Sequence, residues 1–380
     1  MMEAKHTPRF TKLDGLRGLL SIIVALNHSF LVIAIPAYAN VWGQNIWQYH
    51  DFQSKLQQIF MLLGNGGVAV TLFFILSGLV LGGSLSRVEI SPKGLLGFYV
   101  KRILRLYPVY IFVILLIAAY MKLGFVYQSY PHASTWFNWW MRFDMTFKEF
   151  VYNFFFIHTY LGGVTWTLRV ILIASFIFPL FYLVTKKTPK SFDLLITAIL
   201  IGLSFSIFII PDFRDLRYLY MFFLGLILPK FQTFFIAISH RLVCFLLPLA
   251  LFFLLDVRYL TGEYIGGVFE AIISWFTIGL LAYGAQVKVF DFLEGNLLKF
   301  FGKVSYSLYL IHFSILYILA KLMFDFLPTL PYEKNYLIIH FSLFLISLLI
   351  ATFVSYVVHR YVEAPSSVLA DKIGRRIQEK

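Results

Sequence analysis

Charge is scarce in this sequence: acidic and basic residues together make up 13% of it, where a soluble domain carries roughly a quarter. A soluble chain of this length would need far more polar side chains to cover its surface. Lipid lifts that requirement, because the outside of a membrane protein is free to be as apolar as the inside. Cysteine is nearly absent as well. Cys244 stands alone, so neither a disulfide nor a cysteine-based metal site forms within one chain. The histidines are scattered, with no short-spaced ligand pair on one helix, and no metal is expected. The sequence also lacks repeats, low-complexity tracts and any separate soluble domain.

The residues that are present fit a bilayer. Sixty per cent are apolar, with 43 Phe and 23 Tyr. A spanning helix needs about twenty mostly apolar residues. Such runs fall near 16–36, 62–82, 103–121, 165–184, 191–210, 216–230, 241–256, 268–284, 304–323 and 336–358. The expected fold is therefore all-α and polytopic, with about ten transmembrane helices. Residues 149–160 read as a re-entrant or interfacial segment. Residues 1–365 form the membrane domain, and 366–380 a short basic tail at the surface.

The net charge of +13 would suggest nucleic acid if the basic residues formed one patch, but they sit in short clusters between the apolar runs. One side of the ten-span arrangement carries 22 of the 32 basic residues, including Lys5, Arg9, Lys12 and Arg17 ahead of or within the first run. By the positive-inside rule that side is cytoplasmic, and both termini lie there. The first run lacks a small-residue cleavage site and reads as a retained span. The outward loop 122–164 is rich in aromatics, among them Trp136, Trp139 and Trp140. An interfacial belt and a platform for a flat acceptor such as a sugar both account for it.

Several polar residues interrupt the apolar runs. Arg17 and His28, in LDGLRGLLSIIVALNHSF, are eleven residues apart, so they share a helix face and are separated by about 16 Å along it. A histidine within a span is costly unless it faces a cavity or a partner. It is either a site residue or hydrogen-bonded to a neighbour such as Asn27 or a tyrosine. Lys101, Arg102 and Arg105 follow in FYVKRILRLYP, with the two arginines on one face at the cytoplasmic start of the third run. Guanidinium forks match phosphate oxygens, although anchoring to anionic headgroups uses the same residues. Glycines in the run Gly64–Gly78 serve an anion site or close helix packing. In the ninth run Ser305, Tyr309 and His312 make a polar stripe, and Glu363 stands beside Pro365 after the tenth.

Together these residues resemble the integral membrane acyltransferase-3 family of bacterial O-acyltransferases, over about residues 10–365. An arginine, ten residues and a histidine in the first span are matched by Arg17 and His28. The glycine-bearing second span is matched by Gly67, Val68, Phe73, Phe74, Ser77 and Gly78. Arginine-x-x-arginine before a proline is matched by Arg102, Arg105 and Pro108. Tryptophan-hydroxyl-leucine, with a later proline, is matched by Trp166, Thr167, Leu168 and Pro179. The late serine, tyrosine and histidine segment is matched by Ser305, Tyr306, Ser307, Tyr309 and His312, and the closing glutamate-x-proline by Glu363 and Pro365.

The resemblance implies transfer of an acyl group, usually acetyl, from cytoplasmic acyl-CoA to a hydroxyl of a cell-envelope glycan or lipid-linked sugar, in the bacterial inner membrane. It implies a catalytic role for His28 with Arg17, and donor binding by Arg102, Arg105 and Lys101. Trp166, Thr167, Ser305, Tyr309, His312 and Glu363 become substrate-binding or structural positions. Acyl-CoA is then a co-substrate, with no permanently bound cofactor, and a fused extracellular esterase-like domain is not expected. One position departs from the pattern: where the family usually carries a glutamate five residues after the tryptophan, this chain has Ile171. Glu363 and Asp14 are the acids that would compensate; otherwise the protein is catalytically impaired. A transporter or flippase for a small or lipid-linked glycan is the rival reading, though no inverted repeat supports it.

Overall fold

The computed structural model describes residues 11–34, 50–205, 211–285 and 288–379. Among them every regular element is helical, apart from an isolated antiparallel bridge between Ile33 and Ala133. In chain order the α-helices are α1 (Thr11–Phe30), α2 (Phe52–Leu63), α3 (Gly66–Leu85), α4 (Pro92–Leu123), α5 (Thr135–Trp139), α6 (Phe147–Phe154), α7 (Thr165–Lys187) and α8 (Lys190–Ser204). They continue with α9 (Leu219–Ile227), α10 (Gln232–Ala237), α11 (His240–Thr261), α12 (Glu263–Tyr283), α13 (Asn296–Phe326), α14 (Tyr336–Val358) and α15 (Ala364–Glu379). A π-helical turn, His359–Glu363, joins the last two.

Among the described residues seven stretches are long and apolar enough to cross a membrane: Phe52–Leu85, Pro92–Leu123, Thr165–Lys187, Arg214–Ala237, Tyr264–Tyr283, Asn296–Phe326 and Tyr336–Gln378. The chain is a multi-pass membrane protein. Helices α1, α8 and α11 lie at the three other expected spans. Each falls short for a local reason. Asp14, Arg17, Asn27 and His28 dilute the apolarity of α1, α8 has 15 residues, and the apolar part of α11 is His240–Leu255. Residues 35–36 of the first expected span, 206–210 of the fifth, and Lys5 and Arg9 lie outside the described residues. The interfacial segment expected at 149–160 coincides with the short helix α6 and the turn after it.

Capping side chains decide where several helices begin. Asp51, Asn65, Ser91, Ser134, Thr146 and Ser239 each accept a backbone N–H of the first turn. Pro108, Pro179 and Pro248 lie inside α4, α7 and α11, as bilayer helices with neighbouring partners tolerate.

Small residues set the two crossings that position the interior. Gly18 of α1 lies against the backbone of α13 at Leu298 and Gly302, and Gly302 in turn against Asp14. A side chain at either glycine would strike backbone, so only glycine permits this approach. Ten residues beyond each, His28 meets His312, so α1 and α13 run parallel. Gly78 lies against Phe222 and Gly82 against Leu226, so α3 and α9 also run parallel. The glycines of the second span thus serve helix packing.

The buried apolar side chains form two main clusters. One gathers α1, α3, α9, α11 and α12 with one face of α7. The other gathers α4, α13, α14, the loop 122–164 and the opposite face of α7. Ile171 and Tyr309 pack against both clusters, so they mark the seam. A buried pair on the first side ties three helices: Arg258 Nε and Nη2 donate to Glu270 Oε2 and Oε1 at 3.0 and 2.7 Å, and Thr71 Oγ1 donates to Glu270 Oε1.

The expected basic tail 366–380 is ordered as α15, which docks on the start of α4. Gly97 and Gly374 allow the two backbones to approach, Ala370 is buried, and Lys101 pairs with Asp371. Ala370, Ile373 and Gly374 give the tail a face to bury, which its overall basic composition conceals.

Candidate active site

A cavity of about 570 Å³ opens at the seam between the two clusters. One end is polar and basic, lined by Asp14, Arg17, Arg87, Arg102, Arg105 and Glu363. The other end is lined by Phe73, Thr167, Leu168, Ile171, Tyr309 and Leu310. Four guanidiniums against two carboxylates leave an excess of positive charge in an otherwise apolar chamber, which favours an anionic occupant.

The four arginines reach the cavity from three places: Arg17 from α1, Arg87 just after α3, and Arg102 and Arg105 from α4. Arg102 projects from α4 and its Nη2 lies 3.5 Å from Ser175 Oγ on α7, while its buried Nε has no protein partner. Arg87 follows the C-terminus of α3, where its Nε donates to Gly83 O at 3.0 Å. Glu363 is held by Ser307, whose hydroxyl donates to Oε2 at 2.6 Å, and lies 3.1 Å from His359 Nδ1. Tyr306 donates to Leu106 O at 2.6 Å, fixing α13 to α4 beside the arginines.

At the end away from the arginines Tyr309 forms the boundary. Its ring lies 5.9 Å from that of His312, which is almost wholly buried. His312 Nε2 is 2.9 Å from His28 Nδ1. The two histidines therefore sit one layer of side chains beyond the cavity, and neither lines it. Beyond them aromatics of the loop 122–164 and of α13 close in. Trp136 stacks on His28 at 5.5 Å, and Phe313 meets it edge-on at 5.9 Å.

The end of α1 is stapled to that loop by Ala34 N–H donating to His132 O at 3.0 Å and Ser134 N–H donating to Val32 O at 2.9 Å. Gly163, at φ 61°, lets the turn before α7 lie directly on the Phe313 ring. A hydrogen-bonded imidazole pair, an aromatic cover and a basic chamber are a constellation for acid–base chemistry on a substrate with an anionic handle.

A family model described as Acyltransferase domain matches residues 10–360, nearly the whole chain. The chain belongs to the acyltransferase-3 family. It is an acyltransferase of the class that transfers groups other than amino-acyl groups. No curated protein and no solved structure matches it.

In this acyltransferase the cavity gathers eight of the positions singled out from sequence: Arg17, Arg102, Arg105, Thr167, Ile171, Ser305, Tyr309 and Glu363. Thr167 and Ser305 spend their hydroxyl protons locally, donating to Val164 O at 2.8 Å and Gly302 O at 2.9 Å. Four positions stand outside it. Besides the histidines, Lys101 is turned to Asp371 of α15. Trp166 packs edge-on against Phe74 and tilts on Tyr218, at 6.4 and 5.5 Å.

The two acids that are candidates to compensate, Asp14 and Glu363, line the same cavity as Ile171. Arg169, near Ile171 on α7, has its own carboxylate: Asp215 Oδ2 lies 2.6 Å from its Nε, an ionic contact rather than an aligned hydrogen bond. Among the described residues no group of three His, Cys, Asp or Glu is placed to hold a metal.

Arg87, Gln232 and Tyr283 line the cavity without having stood out in the sequence. For Arg87 the signal was present, a cation closing an apolar helix, but it is the same signal that positive-inside anchoring leaves. Gln232 and Tyr283 carry no sequence signal of a site.

Proposed function

We propose that the protein is an O-acyltransferase of the bacterial inner membrane, moving an acyl group, acetyl in the first instance, from cytoplasmic acyl-CoA to a hydroxyl of an envelope glycan or lipid-linked sugar. The observation that carries this reading is the chamber with four guanidiniums at one end that closes one side-chain layer short of His28 and His312. The nucleotide and its phosphates stay at Arg17, Arg87, Arg102 and Arg105, where charge-assisted contacts are strongest. The pantetheine arm is slender and uncharged, suited to the part of the chamber lined by Phe73, Thr167, Ile171 and Leu310. From Arg17 to His28 the helix rises about 16 Å, so an extended arm brings the thioester toward the imidazole while the charged part stays at the basic end.

In the reaction His28 takes the proton of the acceptor hydroxyl, whose oxygen bonds to the thioester carbonyl carbon. The carbon–sulfur bond then breaks, and the proton on the imidazole passes to the departing thiolate, leaving an ester and free CoA thiol. Tyr309, at the boundary between chamber and imidazoles, is the phenol placed to donate to the developing oxyanion.

Ten crossings with both termini cytoplasmic complete the proposal. The directions of the helices support the count. For α3 and α9 to run parallel, an even number of crossings must separate their starts, which makes α8 a crossing beside α4 and α7. For α1 and α13 to run parallel, α11 must cross as well. The excess of basic residues on the side of the termini supports the orientation.

The test is mass spectrometry of envelope glycans from cells with and without the gene, together with acetyl-CoA turnover by purified protein and by His28→Ala. Loss of an acyl mass on deletion, and loss of turnover in the variant, is the expected result. An unchanged glycan with movement of the glycan itself across vesicle membranes would replace this reading with a transporter.

A further inference from the structure

The two histidines are joined in a way that specifies which nitrogen of His28 is basic. Their ring planes are 8° apart and their centroids 5.2 Å apart, with His28 Nδ1 and His312 Nε2 separated by 2.9 Å. That centroid separation is the nitrogen–nitrogen distance plus one ring radius at each end. The imidazoles therefore meet edge to edge in a common plane, not face to face, which is the geometry of an N–H···N hydrogen bond.

The direction of that bond follows from the next contact. His312 Nδ1 lies 3.1 Å from Leu308 O, one turn earlier on α13. A carbonyl oxygen can only accept, so Nδ1 of His312 carries a proton. In a neutral imidazole the other nitrogen then has the lone pair. His312 Nε2 is thus the acceptor, His28 Nδ1 is the donor, and the lone pair of His28 falls on Nε2. No described residue hydrogen-bonds to that nitrogen, and His28 is only half-buried.

We propose that His312 is a positioning residue, which transmits the polarity of the Leu308 carbonyl to His28 and holds it as the Nδ1–H tautomer with Nε2 as the base. The assignment rests on the acyl-transfer reading for its catalytic consequence, but not for its geometry. His312 does not act as a proton sink, because its Nδ1 proton faces a carbonyl that cannot take it. The aromatic rings of Trp136 and Phe313 border the rest of His28 and offer no competing acceptor for Nδ1.

Glutamine and asparagine separate this role from mere packing. The amide of Gln at 312 reaches the place of the imidazole Nε2 and can present an oxygen to His28 Nδ1, whereas the shorter Asn reaches only the place of Nδ1. Leucine fills the space with no acceptor. The full-length protein in lipid, with His312→Gln, His312→Asn and His312→Leu, is assayed for kcat and for the KM of acetyl-CoA. The His28 tautomer is read independently from ¹⁵N shifts of labelled imidazole in the parent and in His312→Leu.

We expect His312→Gln to stay within about tenfold of the parent in kcat, and Asn and Leu to fall by about 10²–10⁴-fold, the span of general-base effects, at nearly constant KM. The parent should show Nδ1 of His28 protonated, and His312→Leu a shift toward Nε2–H. Equal losses for Gln, Asn and Leu, or parent-like kcat in Leu, would overturn the assignment. So would an Nε2–H tautomer of His28 in the parent. Absence of turnover in the parent, with the expected tautomer present, would reject acyl transfer and leave the positioning geometry standing.

Discussion

Gly18 and Gly302 meet backbone to backbone where α1 crosses α13, and the register of that crossing brings His28 to His312 ten residues further along both helices. The imidazole pair depends on a contact about 15 Å away along the helix axes. Gly302→Leu places a side chain against the backbone carbonyl of Asp14, which cannot rotate aside. Overpacking of this kind costs about 1–3 kcal/mol. We expect a lower melting temperature in purified protein, and acetyl transfer reduced by more than the lost folded fraction. Transfer that falls only in proportion to folded protein would separate the crossing from the imidazole register.

The basic end of the chamber makes a sharper prediction, because Lys101 and Arg105 are neighbours on α4 with different surroundings. Arg105 lines the cavity, whereas Lys101 is engaged with Asp371 outside it. A hydrogen bond to a charged group contributes about 1.5–3 kcal/mol, so Arg105→Ala should raise the KM for acetyl-CoA by roughly 10- to 100-fold. Lys101→Ala should leave that KM within a factor of about two, since an exposed ion pair is worth little. Equal effects of the two substitutions would mean that the arginines anchor headgroups rather than the donor.

Much of this was legible beforehand. Apolar runs marked where the helices lie, and the interval between Arg17 and His28 marked α1 as the helix that joins the charged chamber to the histidines. What was not legible depends on contacts between distant segments. His312 shares a stripe with Ser305 and Tyr309 in the sequence, yet its partner is His28, 284 residues away. Asp215 as the partner of Arg169 is equally non-local. Arg87 and Lys101 illustrate one reason: at a helix end, a cation that points into a cavity and one that pairs outside it look the same along the chain. The tail was read as a surface stub because its charge hides the apolar face that docks on α4.

Ile171 sits where the two apolar clusters meet and faces the cavity. It lies one helical turn before Ser175, the residue that Arg102 approaches, and its carbonyl accepts the Ser175 hydroxyl at 2.7 Å. A carboxylate at 171 would enter a chamber with spare positive charge, near an Arg102 Nε that has no partner. We expect Ile171→Glu to raise acetyl transfer, measured as thiol release from acetyl-CoA in the presence of acceptor. Unchanged or lower transfer would show that an acid is not wanted at this point of the cavity.

The tryptophans of the loop 122–164 divide by position. Trp136 stacks on His28 and Trp140 packs edge-on against Phe313 at 5.1 Å, with its buried Nε1 lacking a partner. Trp139 is 46% exposed and carries Arg142 over its ring, as an interfacial belt residue would. If the loop holds the proposed acceptor, Trp136 and Trp140 are the platform and Trp139 is not. An aromatic contact beyond its buried area is worth about 0.5–1.5 kcal/mol, and tenfold in affinity is about 1.4 kcal/mol. Trp136→Ala should raise the KM for the acceptor glycan by up to about tenfold while leaving that for acetyl-CoA unchanged. Trp139→Ala should change neither constant. If Trp136→Ala instead raises the KM of the donor, the aromatic cover belongs to the acyl-CoA channel and the acceptor must reach His28 by another route.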